Sequence, residues 1–364
     1  MINFDVKYSK TVTKKFTTGI FFVTSLLNMK SLNQLCLFSV FLLLTSLSNA
    51  QDIHWSQFNQ NPIFQNPANA GDFKGDVRFV GNYRDQWRSV TVPFSTLALS
   101  VDSKLYTKKN IGYGISFFND QVGDGAFRTI EIQGNVSYQH KLTQDSVHNL
   151  RIGLNLGMNH RQFNADQFYF DNQFNGVNYD PSLSTGEKLQ TERKTNLSIG
   201  LGASYNYFIN DRYSFTGGIG VFNLNQPNQG FFSKKIPREI RTTFFIRGIY
   251  KLNSDLDLVP GFNLSLQGKY REFIIGSSVK YTLINRLGEY RAIYAGLWWR
   301  NKDAAFITVG MDYQSWWVGM SYDFNFSKLV PASKARGGIE FSVRYILHRF
   351  KPSKNSHRIC PDYI

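Results

Sequence analysis

The sequence contains six histidines, the side chains most often used for metal ligation and acid–base catalysis. They are spread widely along the chain, at His54, His140, His148, His160, His348 and His357. No two of them have the spacing of a ligand pair, and a metal site needs three or four converging ligands. The histidines therefore predict no metal site, and no other motif indicates a cofactor.

A Ser-His-acid site on a membrane protein is the enzymatic chemistry that a lone histidine could still support. His160 is the candidate, because it lies at the end of a segment with strand periodicity. The sequence identifies neither a serine nor an acidic partner for it, and catalysis requires the complete geometry. We therefore predict that the protein is not an enzyme.

A planar, hydrogen-bonding group of side chains occurs at Tyr83, Arg84, Gln86 and Trp87. In one interpretation, the tryptophan anchors the chain at a membrane interface and the arginine pairs with a carboxylate inside the protein. In the other, the group contacts a protein that passes through or is held by this one. The sequence leaves both interpretations open.

These residues lie in segments where apolar and polar side chains alternate. From Thr129 to His140 the even positions are mostly apolar, and the alternation resumes from Leu150 to Met158 after a polar turn. Period two indicates strands with one apolar face. Each is about ten residues long, which suits a tilted strand that crosses a bilayer. Strands of a secreted β-sandwich, the alternative fold, are usually shorter.

The same pattern predicts fourteen antiparallel strands, an even number typical of outer-membrane barrels. They lie near 76–85, 94–105, 110–118, 129–140, 149–161, 195–208, 212–222, 240–251, 256–266, 270–282, 291–300, 303–313, 315–325 and 337–348. Long connections mostly follow odd-numbered strands and short turns mostly follow even-numbered ones, as in barrels with short periplasmic turns and long outer loops. The predicted fold is an all-β transmembrane barrel at residues 76–348.

Aromatic residues make up 16% of the chain and gather toward the predicted strand ends. Amphipathic rings prefer the headgroup level of a bilayer, so we expect two aromatic girdles. The predicted girdle residues are Tyr106, Tyr113, Tyr138, Tyr207, Tyr250, Tyr281, Trp298, Trp299, Trp316, Trp317 and Tyr345.

Residues 1–50 have the features of a leader with a signal peptide. An apolar run from Leu35 to Leu47 follows Lys30 and ends before a small-residue cleavage site, and Met29 is its natural start. Removing the leader takes away five lysines and one aspartate, which lowers the formal charge from +15 to +11. It also removes Cys36, so the predicted mature chain keeps only Cys360 and can form neither an internal disulfide nor a cysteine-based metal site.

Three further segments lack strand periodicity. Residues 51–75 are rich in Asn, Gln and Pro and predict an irregular periplasmic or plug segment. Residues 349–364 form a basic tail, which we expect in the periplasm, either solvated or docked to a partner. Residues 162–194 hold several aromatics in a loop too long for a simple connection, which favours partner binding or occlusion of the barrel mouth. The basic residues are not clustered and the chain is exported, so nucleic acid is not an expected partner.

Short motifs rich in Asn, Pro, Gly and aromatic residues occur in order along the predicted mature chain. They contain Asn61, Pro62, Asn66, Pro67, Gly71, Tyr83, Arg84, Gln86, Trp87, Asn119, Asp120, Asp323, Glu340 and Cys360. Together these motifs resemble the PorP/SprF family of type IX secretion system membrane proteins, and we take their residues as candidate partner contacts.

The resemblance implies an outer-membrane barrel of Bacteroidetes that serves protein secretion or gliding motility without enzymatic activity or a cofactor. It also implies the partners: secretion components in the periplasm and outer membrane, a cognate surface adhesin or effector, and the surrounding membrane lipids. The role would be to support export or surface anchoring of that partner protein. A passive or gated solute channel of the outer membrane is the alternative function.

Overall fold

The computed structural model describes residues 54–348, apart from 89–91, 106–109, 124–126, 188–189, 211, 287, 328–329 and 335. The predicted leader, the basic tail with Cys360, and the girdle residue Tyr106 lie outside the described residues. None of the helices in the described part of the chain is long or apolar enough to cross a membrane.

Fourteen antiparallel strands form one closed barrel, which confirms the predicted fold class. They are β1 (Val77–Gln86), β2 (Phe94–Lys104), β3 (Ile111–Val122), β4 (Phe127–Lys141), β5 (His148–Gln162), β6 (Arg193–Asn210), β7 (Tyr213–Phe222), β8 (Arg241–Lys251), β9 (Leu256–Gln267), β10 (Tyr270–Arg286), β11 (Glu289–Arg300), β12 (Ala304–Tyr313), β13 (Trp316–Asn325) and β14 (Arg336–Leu347). Each strand pairs with its neighbours in sequence, and β1 pairs with β14 from Val77↔Leu347 to Asp85↔Ile339 to close the sheet.

The two ends of the barrel differ in the length of their connections. The end after the odd-numbered strands, called here the loop end, carries the long segments 163–192 and 223–240. The end after the even-numbered strands, the turn end, carries short connections such as 252–255 and 314–315. In outer-membrane barrels the long loops face the outside and the short turns face the periplasm.

Within the described residues, helical structure is limited to single turns. The N-terminal part has 3-10 turns at Phe58–Gln60 and Pro67–Asn69 and the helix α1 (Pro62–Gln65) between them. The remaining turns are 3-10 segments at Ala165–Gln167 and Asp171–Gln173 in the longest loop, and α2 (Val330–Ser333) before the last strand.

The strands place apolar side chains on the outside of the barrel and polar ones in its lumen. On β4, Ile132 and Val136 are about half exposed on the outer face, whereas Glu131, Gln133 and Asn135 are buried inside. Adjacent residues of a strand point to opposite faces, so a strict alternation in sequence produces this division. An apolar exterior and a polar interior are what a lipid solvent requires.

The predicted aromatic girdle is wrong at Trp298 and Trp317. Both side chains point into the lumen and are buried, whereas their neighbours Trp299 and Trp316 are exposed on the outer face. The reason is the same period of two, because only one member of a Trp-Trp pair in a strand can face the lipid.

Replacing Ile132 with lysine tests whether the outer face of the barrel meets the lipid. This side chain lies near the middle of β4 with 44% exposure, and a lysine at the bilayer midplane costs about 2–4 kcal/mol. The matched control is Tyr138→Lys on the same face of the same strand, 43% exposed but nearer the turn end, where the cost is about 0–1 kcal/mol. We expect the free energy of unfolding, measured with urea in liposomes, to fall more for Ile132→Lys than for Tyr138→Lys. Equal losses for the two variants would contradict the lipid-facing assignment.

Candidate functional site in the barrel lumen

Residues 54–76, called here the N-terminal segment, lie inside the barrel and extend from the loop end to the turn end. Near the loop end, the Ser56 and Gln57 amides donate to Glu340, close to the start of β14. Near the turn end, the Gly71 amide donates to Asp102, close to the end of β2. β1 then begins at Val77, so the chain enters the sheet directly from the lumen.

Glycines on the inner face of the wall allow the N-terminal segment to approach the sheet. A Cβ atom at Gly153 on β5 would lie 2.3 Å from the Ala68 backbone nitrogen, and one at Gly112 on β3 would lie 2.1 Å from the Ala70 carbonyl oxygen. At Gly202 on β6 it would lie 2.0 Å from the Asn66 side chain. At Gly112 and Gly153 backbone atoms of the segment occupy the space of a side chain, whereas at Gly202 the Asn66 and Pro67 side chains occupy it.

Four ionic side chains of the wall meet near the loop end and form what we call the ion-pair cluster: Arg84, Arg300, Asp323 and Glu340. Arg84 pairs with Asp323 at 2.7 Å and with Glu340 at 2.8 Å. Arg300 pairs with Asp323 at 3.1 Å. All four side chains are almost fully buried, where a charge is tolerated only with well-placed partners.

The start of the N-terminal segment completes the hydrogen bonds of this cluster. Glu340 accepts from the Ser56 amide at 2.8 Å and from the Gln57 amide at 2.9 Å, one through each carboxylate oxygen. The Ser56 hydroxyl donates to Asp323 at 2.7 Å and accepts from Arg300 at 2.6 Å. The cluster thus fixes both the backbone and the side chain of the segment.

His54, at the loop-end start of the segment and outside the strands, adds no charge to this region. Burial lowers the pKa of its imidazole well below the usual value, and the positive charges of Arg300 and Arg84 lower it further. Nδ1 of this neutral ring lies 3.5 Å from a carboxylate oxygen of Glu272 on β10.

The second half of the N-terminal segment is held by its asparagines and by Gly71. The Asn66 side-chain amide donates to the carbonyls of Ala203 (2.9 Å) and Ile219 (3.1 Å), on β6 and β7. Gly71 has φ = +71°, a conformation that favours glycine, and its amide donates to Asp102 at 2.7 Å. Asp102 also accepts two hydrogen bonds from Arg78.

Apolar contacts fill the space between these polar anchors. The Phe58 ring packs edge-on against Trp298 with centroids 5.4 Å apart. The Phe64 ring stacks on Phe118 at 5.9 Å. Asn61, Pro62 and Pro67 are buried, and each proline begins a helical turn, where its missing amide hydrogen costs nothing.

Three residues of the Tyr83–Trp87 motif lie apart from the ion-pair cluster or at its edge. Tyr83 is on the outer face, 38% exposed. Trp87 follows β1 and packs on Phe94 with ring centroids 4.5 Å apart. Gln86, with its amide oxygen turned toward Arg84, accepts from the Arg84 Nε at 3.2 Å.

The Asn119–Asp120 pair also lies near the loop end but makes separate contacts. Asp120 points into the lumen and accepts from the Thr96 hydroxyl at 2.8 Å. Asn119 accepts from Arg128 at 2.7 Å. The structure therefore brings Arg84, Asp323 and Glu340 together and leaves this pair outside their cluster.

Sequence reasoning missed Ser56, Gln57, Arg300, Asp102 and Arg78 as members of the site. A usable signal was present, since a charged residue on the polar face of a predicted membrane strand faces the lumen and needs a partner. Among the histidines, His160 contacts the Thr195 hydroxyl at 2.8 Å. Within the described residues, no three His, Cys, Asp or Glu side chains converge as metal ligands do.

A closed barrel with an apolar exterior and a lumen occupied by its own N-terminal segment defines an outer-membrane β-barrel protein. Residues 47–345 match the family described as type IX secretion system membrane protein PorP/SprF. The chain belongs to this family. No curated protein matches the sequence.

Several solved barrels are similar in structure. The toluene transporter TbuX of Ralstonia pickettii aligns with a TM-score of 0.48 at 9% identity, covering 79% of this chain and 94% of TbuX. A FadL homologue of Pseudomonas aeruginosa aligns with a TM-score of 0.47 at 12% identity, covering 79% of this chain and 94% of that protein.

Proposed function

We propose that this protein is a non-enzymatic barrel that supports export or surface anchoring of a partner protein, an adhesin or effector, and that docks periplasmic components of the secretion machinery. Membership of the type IX secretion family supports the secretion context. The occupied lumen supports a scaffold rather than an open pore, because the N-terminal segment is bonded to strands on opposite sides of the barrel.

The observation that carries the proposal is an apolar surface on the long loop 163–192. Tyr169 is 81% exposed, Val177 79% and Phe174 58%. The loop joins β5 to β6 at the loop end, and the long loops of outer-membrane barrels lie on the aqueous outer side, so we propose that these side chains meet water rather than lipid. Large exposed apolar side chains of this kind are typical of surfaces that bind another protein.

The base of this loop is held in place while its tip is exposed. The Phe163 ring packs against Phe231 of segment 223–240 with centroids 4.8 Å apart. The Gln190 amide donates to the Phe231 carbonyl at 3.1 Å, and the Lys194 ammonium donates to the Gly230 carbonyl at 2.8 Å. A supported loop presents its apolar side chains without the full entropic cost of ordering on binding.

Replacing both Tyr169 and Val177 with serine tests the outer binding surface. We expect the variant to fold normally and to lose about 10-fold or more of its affinity for the partner, since each large apolar contact contributes about 1 kcal/mol or more. Co-purification of the surface protein from outer-membrane extracts provides the measurement. Glu187→Ser, an exposed change in the same loop, is the control, and undiminished co-purification of the double variant would refute the surface.

Truncation after Leu347 tests the docking role proposed for the basic tail. β14 ends at Leu347, whose pairing with Val77 is the last in the closing ladder, so the barrel should fold without residues 348–364. We expect the truncated barrel to keep its heat-modifiable gel migration and to lose its periplasmic partner. A folded truncated barrel that still captures periplasmic secretion components would exclude the tail as the docking element.

The second candidate function is a passive or gated solute channel. It is favoured by a cavity of about 570 Å³ beside the N-terminal segment. Conductance in planar bilayers separates the two functions. Stable open pores that are unaffected by deletion of residues 51–71 would favour the channel, whereas pores that open only after the deletion would favour the scaffold.

A further inference from the structure

The cavity beside the N-terminal segment is strongly basic. It lies mainly toward the turn end, and seven of the described lysines and arginines line it. Two of them, Lys74 and Lys104, have no carboxylate of the described residues within ion-pair distance. Lys74 is exposed, and the Lys104 ammonium donates to the Phe73 carbonyl instead.

The five arginines and lysines that do have partners share only four carboxylates. Arg78 pairs with Asp102, Lys280 with Asp257 and Arg344 with Asp312. The two remaining guanidinium groups share one carboxylate.

That shared carboxylate is Asp72, which lies 3.4 Å from Arg151 and 3.2 Å from Arg247. Arg151 is buried; its Nε faces Asp72 without a hydrogen bond, and its terminal nitrogens donate to the Ala70 carbonyl and to the Gln139 side chain. Seven basic groups against four carboxylates leave an excess of three positive charges around one cavity. Uncompensated charge is costly where side chains are buried, and an anion that supplies acceptors lowers the cost.

The walls of the cavity also have an apolar part. Trp298 and Trp317 face it from β11 and β13, and Val259 faces it from β9. Its volume of about 570 Å³ lies in the range of sites that hold small molecules. We propose that the cavity is a binding site for a small organic anion that carries two or more carboxylate or phosphate groups.

The arrangement explains how such a ligand would be held. Guanidinium groups bind carboxylates and phosphates through two parallel hydrogen bonds. Arg247 is the guanidinium best placed to offer them, because it is partly exposed and contacts Asp72 through one terminal nitrogen. Lys74 and Lys104 add point charges at the turn end, where an anion from the periplasm would enter. The site uses only wall residues and the N-terminal segment, so it is independent of the outer loop surface.

The test is calorimetric titration of the full refolded chain in neutral dodecyl maltoside micelles, with citrate and with pyrophosphate as separate probes. We expect saturable binding of at least one probe, weakened by added chloride. Tighter citrate binding would assign a carboxylate ligand, and tighter pyrophosphate binding a phosphate ligand. Failure of both probes to bind at low ionic strength would overturn the proposal.

Two charge variants locate the site. Combining Lys74→Gln with Lys104→Gln should lower the affinity for the probe by about 10-fold. Lys302→Gln removes one charge from an exposed position at the loop end and should leave the affinity unchanged. Heat-modifiable gel migration checks that both variants are folded. Equal affinity of the double variant and of Lys302→Gln would overturn the assignment to this cavity.

Discussion

Replacing Glu340 with alanine will release the start of the N-terminal segment from the barrel wall. The change removes the acceptor of the Ser56 and Gln57 amides and one of the two carboxylates that pair with Arg84. Breaking a buried ion pair from one side costs about 3–5 kcal/mol. We expect the lower end of this range, because Arg84 keeps Asp323 at 2.7 Å. The equilibrium between the wall-bound segment and the released segment should therefore shift toward release by at least about 100-fold.

Chymotrypsin measures this release directly, because it cuts after aromatic residues. Trp55 and Phe58 are buried in the native lumen, so cleavage there reports the opened segment. Glu289→Ala is the matched control, since it breaks an exposed pair with Arg291 (2.8 Å) that contributes about 0–1 kcal/mol. If Glu340→Ala resists chymotrypsin as well as Glu289→Ala does, the ion-pair cluster does not hold the segment.

The barrel itself could be predicted from the sequence because its rule is local. Most strands contain a stretch in which apolar and polar residues alternate, as at Ile132 and Gln133 on β4, and this alternation indicates which side chains face lipid. The predicted ends of β3 and β10 are both four residues short, and for β3 the error has a physical reason. β3 continues to Val122 instead of ending near 118, because Asn119, Asp120 and Gln121 look like a turn in sequence but keep the strand's period of two, with Asp120 buried in the lumen and its two neighbours on the other face.

The ion-pair cluster could be predicted only in part, because it depends on how the sheet closes. Periodicity places Arg84, Asp323 and Glu340 on the inner face but says nothing about their level along the barrel axis. The β1–β14 register sets Arg84 opposite Glu340, two residues more than 250 positions apart in the chain. The partner on the N-terminal segment, Ser56, lies in a region with no periodicity, so no pattern in the sequence assigns it to that level.

Alanine at Gly153 will displace the middle of the N-terminal segment. The added Cβ would lie 2.3 Å from the Ala68 nitrogen and 2.5 Å from the Pro67 carbonyl carbon. Both are backbone atoms and cannot rotate away. We therefore expect overpacking to lower the free energy of unfolding by about 1–3 kcal/mol. Gly134→Ala is the control, because the nearest atom to its added Cβ is 3.9 Å away. Thermal unfolding and chymotrypsin cleavage after Phe64 are the measurements, and equal behaviour of the two variants would contradict the close approach.

Combining Glu340→Ala with Gly153→Ala in one chain tests whether the N-terminal segment is released in parts or as one unit. Glu340 and Gly153 contact different residues of the segment and share no partner, so independent anchors predict additive losses within about 0.5 kcal/mol. A loss no greater than that of Glu340→Ala alone would mean that opening the loop-end anchor already frees the segment as far as Ala68. The segment would then behave as a single cooperative element, and Glu340 would control how much of the lumen is filled.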